Sequence, residues 1–323
     1  MLITSIGQGL LWAPLVIGVF ITFRILDIPD LTTEGSFPLG AAVTVHAMIQ
    51  GQSALTATIA GFIAGCLAGW VTGMLDTKLH MPSLLAGILT MTGLYSVNMH
   101  IMGKSNVPLL SQKVLMDRLP MSWTLDGQTI GIGLIVTGVV MALLIWLFKT
   151  RLGLSLMATG NNSAMSSANG IHTDRMVIIG YMISNGCIAL SGALIAQSNG
   201  YADIGMGIGT IVIGLASVLV GEIFLRGRQI WLRLSAMVLG AIIYRYLLTV
   251  AMGLGFPVDD LKILSAGILV VVICLPLIRN KYRTRQQLKR YLKQIGVEQN
   301  ENQSISSLKR PASTEGLLSR DPK

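Results

Sequence analysis

The sequence predicts an all-α fold, a polytopic bundle of eight or nine transmembrane helices, and three observations predict it. Only 12% of the 323 residues are charged while 52% are apolar, and mean hydropathy is +0.66. A soluble fold cannot hide that much hydrocarbon behind so few charges. Charge-free runs recur at the length a bilayer demands, about 20 apolar residues for a hydrocarbon core of about 30 Å. The strict apolar/polar alternation of a membrane barrel is missing.

Taken in order, the run 1–23 carries no charged side chain, no basic n-region and no small-residue cleavage site, so it reads as a span and not as a secretory signal. The run 35–75 is too long for one crossing and breaks at Gln50-Gly51-Gln52-Ser53. Further spans follow at 79–103, 127–148, 176–202, 204–221, 234–252 and 261–278. That gives nine candidate crossings within a membrane domain 1–280. The remainder, 281–323, is a basic tail that turns polar after Gln294 and reads as largely disordered.

Lys and Arg near span ends resist translocation and stay in the cytoplasm. The basic stretch 149–175, Arg226-Gly227-Arg228 and the tail then fall on one side, as alternating crossings require. The acidic turn Phe256-Pro257-Val258-Asp259-Asp260 falls outside, as does the amino terminus, while Asp76-Thr77-Lys78 falls inside. The stretch 104–126 conflicts, since it holds Lys104, Lys113 and Arg118 yet is assigned outside.

Cys66, Cys187 and Cys274 sit in apolar runs with no partner at metal-ligand spacing, so neither a disulfide framework nor a metal or cofactor is expected. Gly103-Lys104-Ser105 mimics the end of a nucleotide-binding loop but lacks the earlier glycine, that position being Asn98. His46 and His100 read as interfacial histidines. Gly61 to Gly65 and Gly65 to Gly69 repeat the small-residue spacing that lets helix backbones approach in lipid. Arg245, two turns inside its span, is expected to snorkel to the outer interface, with a carboxylate such as Asp203 or Asp259 as the alternative partner.

Two polar segments stand out. The first, 26–40, places Asp27, Asp30 and Glu34, with Pro29 and Pro38, between apolar spans. It reads either as an interrupted helix lining a cavity or packed in protein, or as an ordinary turn capped by Glu34 and Ser36. The second, 200–210, has Gly205, Gly207 and Gly209 at every second position after Asp203, which one face of a helix cannot explain. An unwound or closely packed backbone is implied. An acidic residue and glycines thus open a span once in each half, with opposite directions of crossing, as in inverted-repeat transporters.

In the cytoplasmic stretch, Asn161 or Asn162 can cap a short helix that Gly170 ends in the left-handed conformation. Such a helix would expose Met165 to a partner's groove. Leu152-Gly153, Ala158-Thr159-Gly160-Asn161-Asn162 and Ala168-Asn169-Gly170-Ile171 resemble the coupling segment of permeases in the branched-chain amino acid and ribose class of ABC importers. The runs 30–37 and 202–209 are similar to the subgroup paired with tryptophan- or tyrosine-type binding lipoproteins. That subgroup has arginine where Met157 stands and aspartate where Asn161 stands.

The resemblance implies a multi-pass permease subunit in the bacterial inner membrane that moves a small solute, an amino acid and an aromatic one, and pairs with a second copy as a homodimer. It implies a separate cytoplasmic ATPase contacting Gly160, Asn161, Asn162, Met165, Ala168, Asn169 and Gly170, and an extracytoplasmic substrate-binding protein. The chain itself is then no enzyme. Asp30, Glu34, Gly35, Ser36, Asp203, Gly205, Gly207 and Gly209 are expected to line or hinge the path. The alternative is an ion-coupled secondary transporter using Glu34 or Asp203 as its ion site.

Overall fold

The residues described by the computed structural model, namely 2–109, 112–118, 125–225, 229–254, 263–267 and 269–271, form ten bounded α-helices and one short β-ribbon, with further helical residues at 263–267 and 269–271. The helices are α1 (Leu2–Phe20), continued by a π-helical turn Ile21–Ile25, α2 (Thr33–Ile49), α3 (Ala54–Thr77), α4 (Ser83–Met102), α5 (Leu125–Lys149), α6 (Arg151–Asn161), α7 (Ser163–Ala168), α8 (Thr173–Asn199), α9 (Thr210–Phe224) and α10 (Ile230–Gly253). Strands β1 (Asn106–Pro108) and β2 (Tyr201–Asp203) pair antiparallel.

Seven of the segments are long and apolar enough to cross a membrane. The eighth expected span, after residue 35, is the 17-residue α2, too short to cross alone and buried along most of its length. Most of the expected span 261–278, and the tail 281–323, lie outside the described residues. The break between α2 and α3 falls at residues 50–53, where the Ser53 hydroxyl accepts the Thr56 amide and caps α3. That hydroxyl satisfies one of the orphan amides of the first turn.

Polar pairings fix the helix directions. Gln8 donates to Ser198, and Ser184 donates to the Gly18 carbonyl, so α1 runs antiparallel to α8. Gln197 donates to Thr58, while Gly69 packs on the Tyr181 carbonyl, so α3 is antiparallel to α8 as well. Thr44 bonds Ala57 and Thr32 meets Thr72, which makes α2 antiparallel to α3. Helix α9 follows α1, since Gly214 packs on Val19 and Glu222 pairs with Arg24. Helices α1 and α8 form the buried centre, and in the glycine repeat of α3 Gly65 and Gly69 lie against α8 and Gly61 against α2. A Cβ at Gly61, Gly65 or Gly69 would overlap atoms of its neighbours. That close contact is what holds helices together when lipid is as apolar as their side chains.

Lys78 pairs with Asp174 at 3.4 Å, so two stretches expected inside lie at the same end of the bundle. At the opposite end, the ribbon sets Asn106 beside Asp203, so the stretch that starts at 104 lies with 200–203. Lys104 and Lys113 are exposed there despite the charge rule.

The expectation for Arg245 is corrected. Its head turns inward: Nη2 donates to Gln8 Oε1 at 3.2 Å, and the guanidinium lies 4.9 Å from the Trp12 ring centroid. Trp12 in turn stacks on Phe37 at 5.2 Å. Close packing of Gly9 on Ile242 brings α1 near enough for the indole face to take the charge. Asp203 is engaged elsewhere, and Asp259 lies outside the described residues.

Candidate translocation seam and coupling segment

The two interrupted segments converge in the interior. In the first, the π-helical turn ends α1 and Asp27 takes a positive φ of 58°, which turns the chain back. Asp30 then folds under the start of α2. One carboxylate oxygen accepts the Thr32 amide at 2.9 Å, and the other accepts Asn185 Nδ2 at 2.8 Å. Ser36 donates to Asn185 Oδ1 at 2.7 Å. Asp30, Thr32, Ser36 and Asn185 are all buried, so the cluster exchanges hydration for a nearly complete set of partners, as buried polar groups must. Asn185 stands 12 residues into α8, about 18 Å along its axis. Asp30 and Ser36 therefore lie deep beside α8, while Asp27 and Pro29 at the break itself are exposed, so the segment combines an exposed turn with a buried start of α2.

In the second segment the chain leaves β2 through a 3-10 turn, Ile204–Gly207, and reaches α9 at Gly209, whose φ of +85° suits glycine. Asp203 Oδ1 accepts the Gly205 amide at 2.7 Å and closes that turn. The turn packs on α2: a Cβ at Gly207 would overlap the Glu34 carbonyl and reach 2.7 Å from Pro38 Cδ. Glu34 Oε1 accepts the Gly209 amide at 2.9 Å. Glu34 therefore caps α9, not its own helix. Two short helices of opposite direction thus meet N-terminus to N-terminus, with one carboxylate set where both dipoles are positive. Gly35 faces α4, against Met91 and Leu94, and its carbonyl accepts Asn98 Nδ2 at 3.2 Å.

At the end of the bundle that holds Lys78 and Asp174, Thr150 caps α6, and Asn162 caps α7 by accepting the Met165 amide at 2.9 Å. Asn169 Nδ2 closes the helix on the Met165 carbonyl at 2.8 Å, and Gly170 follows at φ +79°. Met165 is 65% exposed. A Cβ at Gly160 would overlap the Ile25 carbonyl, so α6 rests on the turn that ends α1. Beside this contact lies a polar cavity of about 640 Å³, lined by Asp27, Asp76, His80, Asn161, Asn162 and Asp174 among others.

Glu34, Gly207 and Gly209 are thus brought together, and Asp30 and Ser36 share a cluster directly behind them. Gly35 faces away toward α4, and Asp203 and Gly205 form the approach from the outer ribbon. Gly160, Asn161 and Asn162 flank the cavity, while Met165, Ala168, Asn169 and Gly170 belong to α7 and its end. Sequence reasoning missed Asn185, an uncharged amide within an apolar run, and Thr72, the partner of Thr32. It also gave no helix over 151–161, though Leu152, Leu156 and Met157 carried a helical spacing.

Residues 1–273 match the model of a family described as the permease component of the branched-chain amino acid transport system. The chain is 38% identical over 272 residues to a tyrosine transport system permease protein of Clostridioides difficile (strain R20291), covering 84% of this chain and 90% of that one. It is 34% identical over 274 residues to an uncharacterized protein of Rickettsia prowazekii (strain Madrid E), covering 84% and 95%. A galactofuranose transporter permease protein of Escherichia coli (strain K12) is 26% identical over 258 residues, covering 78% and 72%.

Proposed function

This chain belongs to the family of branched-chain amino acid transport permeases and is the multi-pass membrane subunit of an ABC importer for a small solute; from that premise we propose how its parts divide the work. Helix α7 docks into a cytoplasmic ATPase, which supplies the hydrolysis of ATP, and the seam between Glu34 and Gly209 forms part of the solute path. The solute is an amino acid of the aromatic class, on the strength of the relative named for tyrosine transport. An extracytoplasmic binding protein delivers it near the β1–β2 ribbon. Two copies of the chain enclose the path, since Glu34 and Gly209 are only half-buried in one.

The observation that carries this reading is the contact of Gly160 with the Ile25 carbonyl. Through it, a push on α6 and α7 reaches the segment that leads, within ten residues, to the carboxylate holding α9. Packed interiors are close to incompressible, so such a displacement is transmitted and not absorbed. Purification of the tagged chain in mild detergent, followed by reconstitution with its co-purifying partners, tests it. The expected result is a Walker-motif ATPase in the complex and ATP-dependent uptake of L-tyrosine into proteoliposomes. Uptake that runs without ATP and collapses with an uncoupler would overturn it.

A further inference from the structure

Asn185 lies 151 positions from Glu34 in sequence and does not touch Gly209, yet its amide is the point on which the first break is built. Nδ2 donates both to Asp30 Oδ2 at 2.8 Å and to the Tyr181 carbonyl at 3.1 Å, and Oδ1 accepts from Ser36 at 2.7 Å. The donation to Tyr181 sets which way the amide points. Asp30 and Ser36 are the residues on either side of Glu34 that the amide grips, and neither can slide along α8 while all three bonds hold. The same turn of α8 is gripped from two other directions. Ser184 donates to the Gly18 carbonyl of α1, and a Cβ at Gly65 of α3 would overlap the Asn185 carbonyl. Asn185 therefore stands on a stretch of backbone that cannot readily shift.

We propose that Asn185 is a positioning residue for transport: by clasping Asp30 and Ser36 it aims the first turn of α2 so that Glu34 meets the Gly209 amide. The proposal rests on reading the Glu34–Gly209 seam as part of the path. Asn185 acts through Glu34 and is given no contact with the solute.

The test exchanges the two groups. In N185D two carboxylates face each other, and in D30N two amides meet, where turning one sets a donor against the Thr32 amide and turning the other sets an acceptor against the Tyr181 carbonyl. The pair D30N/N185D restores one donor facing one acceptor and keeps the contacts to Thr32 and Ser36. The donation to the Tyr181 carbonyl is lost and an acceptor takes its place, which is why the return to wild type is expected to be incomplete. Two readouts are taken in the full chain assembled with its partners. One is alkylation by a membrane-impermeant maleimide at Ile208→Cys, an exposed position beside Gly209, against the parent lacking that substitution. The other is ATP-driven uptake of L-tyrosine at equal amounts of inserted protein. Each single exchange is expected to change alkylation and to lower uptake by about tenfold, as loss of a charge-assisted hydrogen bond would, and the pair to bring both back to within roughly threefold of wild type. A general structural role predicts a pair at least as damaged as the worse single exchange, and that result overturns the proposal. Alkylation unmoved by either single exchange overturns it too. Alkylation changed and restored while uptake stays at wild type overturns the path reading on which it rests, leaving the pairing as geometry alone.

Discussion

The Glu34 carboxylate accepts the backbone amide of Gly209 at 2.9 Å, joining the first turn of α2 to the start of a helix that runs the other way. The bond is charge-assisted and lies in a partly desolvated setting, so removing it costs about 1.5–3 kcal/mol. Glu34→Ala should lower ATP-driven uptake at least tenfold at unchanged expression. Glu34→Gln keeps an acceptor oxygen and should fall between alanine and wild type. Initial-rate measurements on the three proteins at matched density check the order.

Gly207 tolerates no side chain, because its Cβ would occupy the place of the Glu34 carbonyl oxygen. Gly207→Leu is expected to abolish uptake while the protein still inserts and purifies, and Gly207→Ala to reduce it in the same direction. Uptake by Gly207→Leu at the wild-type rate would remove this seam from the path.

At the cytoplasmic end, Asn162→Ala removes the cap of α7, worth about 1 kcal/mol to so short a helix. Met165→Asp places a charge where a partner's apolar groove is expected. Both should reduce the ATPase recovered with the tagged chain, Met165→Asp more and with thermal stability of the isolated permease unchanged, Asn162→Ala with a loss of helix confined to α7. Quantitative pull-down beside a melting curve separates docking from folding.

Arg245 should matter to stability. Its bond to Gln8 and its place over Trp12 are together worth about 1–2 kcal/mol, so Arg245→Ala should lower the melting temperature by a few degrees. Arg245→Lys, which keeps the charge but loses the planar face, should recover part of that. A charge merely held at the interface would leave both melting curves unchanged.

Local rules account for what was legible in the sequence. The break at residues 50–53, the Asn162 cap, the left-handed Gly170 and the glycine face of α3 each follow from residues a few positions apart, where geometry leaves few choices. Glycines at 205, 207 and 209 announced an irregular backbone because no helix face has that period. The partners of these segments were not legible. Nothing near Glu34 shows that its acceptor oxygen serves an amide 175 residues on, nor near Asp30 that its donor is Asn185. Arg245 was misjudged for the same reason. Snorkelling is the default for a lone helix in lipid, and only the packing of α1 on α10 supplies an indole face inside.

The Asp30 and Asn185 contact also orders events during synthesis. Asp30 emerges from the ribosome 155 residues ahead of the amide that completes it. At about 5–20 residues per second, the delay is on the order of 8 to 30 s. Through that interval α2, too short to cross by itself, holds a carboxylate without its principal donor. It must wait at the edge of the bilayer or against the insertion machinery until α8 arrives. A nascent chain halted before residue 185 should therefore leave α2 accessible to water, and one halted after α8 should not.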